Sequence, residues 1–119
     1  MLYHLKERAI EHAVIPWCRK NGTAVVAYSP FGHDDFPSPR SQQGQLLQSI
    51  ADAHGATPRQ VALGFLTRDS QVFAIPKASR AAHAADNAAA SDLVLGGDEI
   101  AALEQAFPRG PKPRSLPML

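Results

Sequence analysis

Two short apolar runs rich in β-branched residues, TAVVAY at residues 23–28 and VFAIP at residues 72–76, each pass into a turn-forming segment and then into a helical pattern. This repetition constrains the fold more than any other feature of the chain. A continuous apolar run of such length reads as a strand buried on both faces, the kind found in parallel sheets. No Asn-Gly or Asp-Gly pair lies between two β-rich runs, so no hairpin is signalled. Parallel strands need right-handed helical crossovers, and the chain is therefore read as α/β.

The segments between the runs carry that reading. Residues 7–20 form a mixed segment that stops at Asn21-Gly22 behind Arg19 and Lys20, a helix end in which glycine accepts the left-handed backbone and the cations suit the negative pole. Pro16 is tolerated best in a first turn, so the regular helix is expected from about Ile15, with Trp17 and Cys18 on its core face. Residues 33–44 are polar with Pro37 and Pro39 and read as a loop. Leu46, Leu47, Ile50, Ala51 and His54 then fall at helical spacing before Gly55. Thr57-Pro58 caps a second helix, whose stripe of Val61, Ala62, Phe65 and Leu66 runs toward Asp69. After the second strand, Ser79 is placed to cap a helix whose residues 81–90 include seven alanines. A last helix follows Gly96-Gly97 at Asp98, with Ile100, Leu103 and Phe107 on one face. The tail, residues 108–119, carries four prolines and is expected to be extended.

Length and charge narrow the function. A complete (β/α)8 barrel takes about 250 residues, and these 119 residues hold two strands and an aromatic stub, Tyr3-His4-Leu5. The expectation is a partial (β/α)8 barrel of roughly three βα units, incomplete as a single chain, with a raw edge strand and apolar faces lacking partners. Twelve Lys and Arg against eleven Asp and Glu leave a net charge of +1, too weak a field to favour nucleic acid or an acidic membrane. Arg109, Lys112 and Arg114 of the tail have no interleaved aromatic residue for base stacking. The single Cys18 makes neither an internal disulfide nor a Cys-x-x-Cys pair, and no apolar stretch approaches the roughly 20 residues that span a bilayer, so a cytoplasmic location is expected.

Common nucleotide-binding, hydrolase and metalloprotease signatures are absent. What remains is the pair of strand ends. Lys77 and Arg80 offer cationic donors, Ser79 a hydroxyl, and a helix starting near Ser79 would aim backbone N–H groups at the same place, a cradle for a phosphate. His83 and Asn87, four apart, share a face that suits an adenine ring. Read blandly, the same residues are a solvated strand end and the polar face of an alanine helix. Tyr28 at the mouth of its strand either stacks on a planar ring or packs in the core, and no cation adjoins it in sequence to assist it as an acid. His33-Asp34-Asp35 is read as a solvated loop, since adjacent residues project in different directions, and no metal site is expected.

These motifs resemble the C-terminal part of an aldo-keto reductase, over almost the whole chain. Tyr3-His4-Leu5 is similar to the end of the sixth barrel strand, VVAYSPFG to the seventh strand and its loop, ATPRQVALGFL to the seventh helix and VFAIPKAS to the eighth strand; AAHAADN and DEIAALEQAF follow in family order. The resemblance implies a (β/α)8 barrel that reduces aldehydes and ketones with NADPH and without a metal. It implies stacking of Tyr28 under the nicotinamide, cofactor contacts from the loop holding Ser29 and Phe31, and an adenosine 2′-phosphate site formed by Lys77, Ser79, Arg80, His83 and Asn87. Ala78, His83 and Asp86 depart from the residues common at those positions. His83 removes a permanent charge there, leaving Lys77 and Arg80 to serve the phosphate.

The family's catalytic Asp, Tyr, Lys and His come from the first part of the barrel and match no residue here, so no catalytic residue is assigned. Tyr3 and His4 stand as substitutes only in type, because they align after the catalytic positions. Two expectations follow: a truncated NADPH-dependent reductase that carries the cofactor half and is inactive alone, or a non-catalytic subunit that completes its barrel against a partner chain or a second copy. The partners expected are the nicotinamide cofactor and a small carbonyl substrate.

Overall fold

The computed structural model describes residues 2–32, 36–75, 90 and 93–111. A 3-10 turn at Ala9–Glu11 leads into helix α1 (Val14–Asn21) and strand β1 (Val25–Tyr28). Helices α2 (Gln42–His54) and α3 (Pro58–Leu66) follow, then strand β2 (Val72–Ile75) and helix α4 (Gly97–Ala106). The strands pair in parallel, with Val25 opposite Val72 and Tyr28 opposite Ile75. The crossover between them is helical, as parallel pairing requires. Leu2 adds a parallel bridge to Tyr28, and the Tyr3 amide donates to the Tyr28 carbonyl at 3.3 Å, so the aromatic stub lies beside β1.

Local signals act as read. Gly22 ends α1 at φ 67° with its amide on the Cys18 carbonyl, and Gly55 ends α2 at φ 63°. At α3 the Thr57 hydroxyl accepts from the Gln60 amide (3.2 Å), while the Gln60 side chain accepts from the Thr57 amide (2.9 Å). This capping box satisfies two end donors at once. Thr57→Ala is expected to cost about 1 kcal/mol, and Thr57→Ser almost nothing, in urea unfolding followed by circular dichroism.

Four sequence expectations change. The loop assigned to residues 33–44 ends sooner, because α2 begins at Gln42 behind Ser41, whose hydroxyl accepts from the Gly44 amide. Trp17 is 59% exposed rather than core. Ile15 and Cys18, three apart, take the buried face of α1, and a neighbour of Cys18 is turned about 100° away from it. The strands are not buried on both faces. Val25, Ala27 and Val72 join the core with Leu47, Val61, Phe65 and Leu66, whereas Val26 is 52% and Phe73 59% exposed. Pleating sends alternate side chains to opposite faces, and the helices of the described residues pack behind only one. Leu103 and Phe107 bring α4 into the same core. His54, expected on the apolar stripe of α2, instead bonds both carboxylate oxygens of Glu99 at 2.7 and 2.9 Å and links α2 to α4.

The alanine-rich helix expected over residues 81–90 lies outside the described residues except for Ala90, which is buried. Of the tail, residues 108–111 are described; they are exposed and neither helical nor paired as a strand.

Candidate functional site

Parallel pairing in register sets the carboxyl ends of β1 and β2 side by side, with Tyr28 next to Ile75. Tyr28 is half-buried there. The chain then turns sharply: the Gly32 amide donates to the Ser29 carbonyl at 2.9 Å, with Ser29 at φ 54° and Gly32 at φ 74°. Ser29 is the one non-glycine residue at positive φ among the described residues, a conformation that costs on the order of 1 kcal/mol. Strain of this kind persists where the surroundings dictate it, and it gathers at functional turns. Phe31 leaves the turn edge-to-face with Phe36, the ring centroids 5.8 Å apart and the planes at 89°. The Arg59 guanidinium of α3 stands over both rings, 4.8 Å from the Phe31 centroid and 4.5 Å from that of Phe36.

Of the residues singled out in the sequence, Tyr28, Ser29 and Phe31 are thus brought together at one strand end. Lys77, Ser79, Arg80, His83 and Asn87 lie outside the described residues, as do His33, Asp34 and Asp35. Arg59 and Phe36 carried no sequence signal: an arginine in a first helical turn and a phenylalanine among prolines join only across the fold.

The aromatic stub leads elsewhere. Glu11 is buried, and its carboxylate accepts from Arg8 Nε and Nη2 (both 2.7 Å), from Arg68 Nη2 (3.1 Å) and from the Tyr3 hydroxyl (2.6 Å). Arg8 also donates to the Phe107 carbonyl, and the Arg8 and Arg68 guanidinium groups lie 5.1 and 4.0 Å from the centroid of the Phe65 ring. Burial and the adjoining Glu11 charge push the Tyr3 phenol well above its ordinary value. Burial alone would raise Glu11 as well, but the hydrogen bonds from Arg8 and Tyr3 and the arginine charges outweigh it and hold the carboxyl below its usual range. A phenol committed in this way does not serve as a proton donor at the strand ends, so the network is structural. A cleft of about 330 Å³ opens beside it, lined by Tyr3, Glu11, Ile15, Pro16, Arg19, Arg68, Asp69 and Arg109. No residue of the Tyr28–Gly32 turn lines that cleft.

Known proteins place this geometry in context. The family model described as "Aldo/keto reductase family" matches residues 1–107. Methylglyoxal reductase YeaE of Escherichia coli (strain K12) is 36% identical over 108 residues, which are 91% of this chain and 38% of that protein. Pyridoxine 4-dehydrogenase of the same organism is 34% identical over 103 residues, 86% of this chain and 34% of that one. Among solved structures, an aldo-keto reductase from Klebsiella pneumoniae in complex with NADPH superposes with a TM-score of 0.87 at 37% identity, covering all of this chain and 42% of that one. The thermostable aldo-keto reductase Tm1743, bound to the inhibitor epalrestat, gives a TM-score of 0.78 at 35% identity over 87% of this chain and 37% of its own. The chain therefore spans about two fifths of the length of such relatives. With a parallel βα layer, a strained turn at the strand ends and a family match over nearly its whole length, this chain belongs to the aldo/keto reductase family.

Proposed function

We propose that the chain forms the cofactor-holding arc of an NADPH-dependent aldehyde and ketone reductase with a (β/α)8 barrel. The observation that carries the reading is the alignment of two parallel carboxyl ends beside the Ser29 turn, the position at which such barrels bind their ligands. The residues there fit a nicotinamide dinucleotide in kind. Tyr28 would supply a flat apolar face for the nicotinamide with Ser29 and Phe31 bordering it, and Lys77, Ser79, Arg80, His83 and Asn87, which follow β2 in the sequence, are of the cationic and polar kinds that an adenosine 2′-phosphate needs. When bound, the cofactor supplies a hydride for a carbonyl carbon. This chain's residues would bind and orient it, and the proton donor for the carbonyl oxygen is not among them. By itself the chain is then inactive as a reductase.

A site divided from part of its walls loses preorganisation. NADPH fluorescence titration is expected to show saturable binding weaker than about 1 µM, displaced by NADP and further weakened by Lys77→Ala. Submicromolar affinity would refute the divided site, and indifference to NADP would refute the cofactor assignment.

A second reading is favoured by the exposure of Phe73 and Val26 on one sheet face. Apolar side chains of that size in a row call for a cover, and a partner chain or a second copy that closes the sheet into a barrel around that face would supply it. Size-exclusion chromatography with light scattering decides: a monodisperse monomer excludes obligatory pairing.

A further inference from the structure

Arg59 occupies an unfavourable place for a cation. Thr57 caps α3, Pro58 opens it, and Arg59 follows in a first turn that holds no acidic residue. The helix dipole presents its positive pole there and repels a guanidinium. The fold supplies an attraction that offsets this repulsion. The guanidinium lies 4.8 and 4.5 Å from the centroids of Phe31 and Phe36, whose rings meet edge-to-face. Both rings are half-buried and pack on the core, whereas Arg59 is exposed. The three side chains join the first turn of α3 to the chain on both sides of residues 33–35. From Phe31 the path is short: it sits inside the Ser29–Gly32 turn, and Tyr28 of β1 immediately precedes that turn.

We propose that Arg59 is a positioning residue for the strand-end turn, acting through the Phe31–Phe36 pair to hold Ser29 and Phe31 against α3 in the conformation that receives the nicotinamide cofactor. The inference rests on the cofactor reading given above for what the turn receives, but not for the clamp itself. A planar guanidinium spreads its charge over two ring faces in a way that a lysine ammonium does not. The clamp also accounts for the positive φ at Ser29: a turn tied at its far end by Phe31 is over-determined and holds a conformation that a free loop would relax.

Two measurements on the full 119-residue chain test this. Hydrogen exchange at the Gly32 amide, which is bonded to the Ser29 carbonyl, is expected to speed up about tenfold in Arg59→Ala and in Phe36→Leu. The Val61 amide inside α3 should keep its protection in both variants and so report an intact fold. NADPH affinity should fall several-fold in both, with Arg59→Lys intermediate. If Arg59 instead touches the cofactor phosphate as a plain charge, Arg59→Lys restores affinity, Phe36→Leu has no effect and Gly32 exchange does not move. That pattern would overturn the proposal, as would unchanged Gly32 exchange in Arg59→Ala alone. A wild-type chain that binds no NADPH, while Gly32 exchange rises in both variants, would support the clamp and remove the cofactor reading.

Discussion

Glu11→Ala should lower the stability of this chain by about 3–5 kcal/mol, enough to leave it largely unfolded. The side chains of Arg8 and Glu11 are 4% and 7% exposed. The carboxylate is the acceptor for Arg8, Arg68 and the Tyr3 hydroxyl, so truncation strands one fully buried cation, one partly buried cation and one buried phenol. Removing a single member of such a set leaves uncompensated charge, whereas replacing both members of a buried pair by apolar groups is often tolerated. The double variant Arg8→Met with Glu11→Leu is therefore expected to recover most of the loss, since Arg68, with its side chain 24% exposed, can turn to water. Urea unfolding of the wild type, both single variants and the double variant gives the coupling directly. Additive effects would show that the network contributes nothing as a unit.

The same carboxylate sets an acid limit. Its folded-state pKa is depressed by the arginines and the Tyr3 hydroxyl, so its contribution is complete above the ordinary carboxyl value of 4.5 and is lost as pH falls through the lower folded value. Asp69 and Glu99 are depressed as well. For Asp69 burial alone would raise the carboxyl, but the Gln71 amide and the Arg19 and Arg68 charges together outweigh it; for Glu99 the Gly96 amide acts first and then His54. Both face solvent more than Glu11 does, and screening makes their shares small. Stability should decline below about pH 4.5 in the wild type, and that decline should flatten in Glu11→Gln.

Gly44→Ala should destabilise the chain by about 2 kcal/mol, although alanine is the better helix former by nearly 1 kcal/mol. Gly44 lies in the first turn of α2, and a Cβ there would fall 1.9 Å from the Ser38 carbonyl oxygen, 2.7 Å from its carbon and 3.0 Å from the Pro39 Cα. All three are backbone atoms, so no rotamer change relieves the clash. The turn must move, and that turn is what seats the helix cap: the Ser41 hydroxyl donates to the Ser38 carbonyl at 2.7 Å and accepts from the Gly44 amide at 3.0 Å. The clash and the disturbed cap together exceed the gain in propensity. For a domain of about this size the midpoint should fall by roughly 10 °C. Gly97→Ala in α4 is the control, since a Cβ at Gly97 meets nothing within 4 Å. It should be neutral or slightly stabilising, and equal effects at the two positions would sink the explanation.

Much of the architecture is written locally. Thr57-Pro58 starts α3, Gly22 and Gly55 end α1 and α2, and the absence of a hairpin turn between two apolar runs implies parallel strands; each of these signals acts within a few residues and needs no distant partner. The position of Tyr28, Ser29 and Phe31 at a strand end is legible for a related reason, since a residue at the carboxyl end of a parallel strand is placed by topology. The local rules failed where a neighbour remote in sequence decided the outcome. Gln42 and Gly44 look like loop, yet the Ser38–Ser41 turn folds back and makes them the first turn of a helix. Val26 and Phe73 look buried, yet the helices among the described residues pack on the other face of the sheet and leave both side chains exposed. Glu11 looks like a surface acid until Arg8, Arg68 and Tyr3 close around it, and Arg59 acquires a role only when Phe31 and Phe36 stack beneath it. Hydrophobic period and capping are properties of short segments and can be read along the chain. Charge burial, close backbone approach and ring contacts belong to pairs of residues far apart in the chain, and they exist once folding has brought those pairs together.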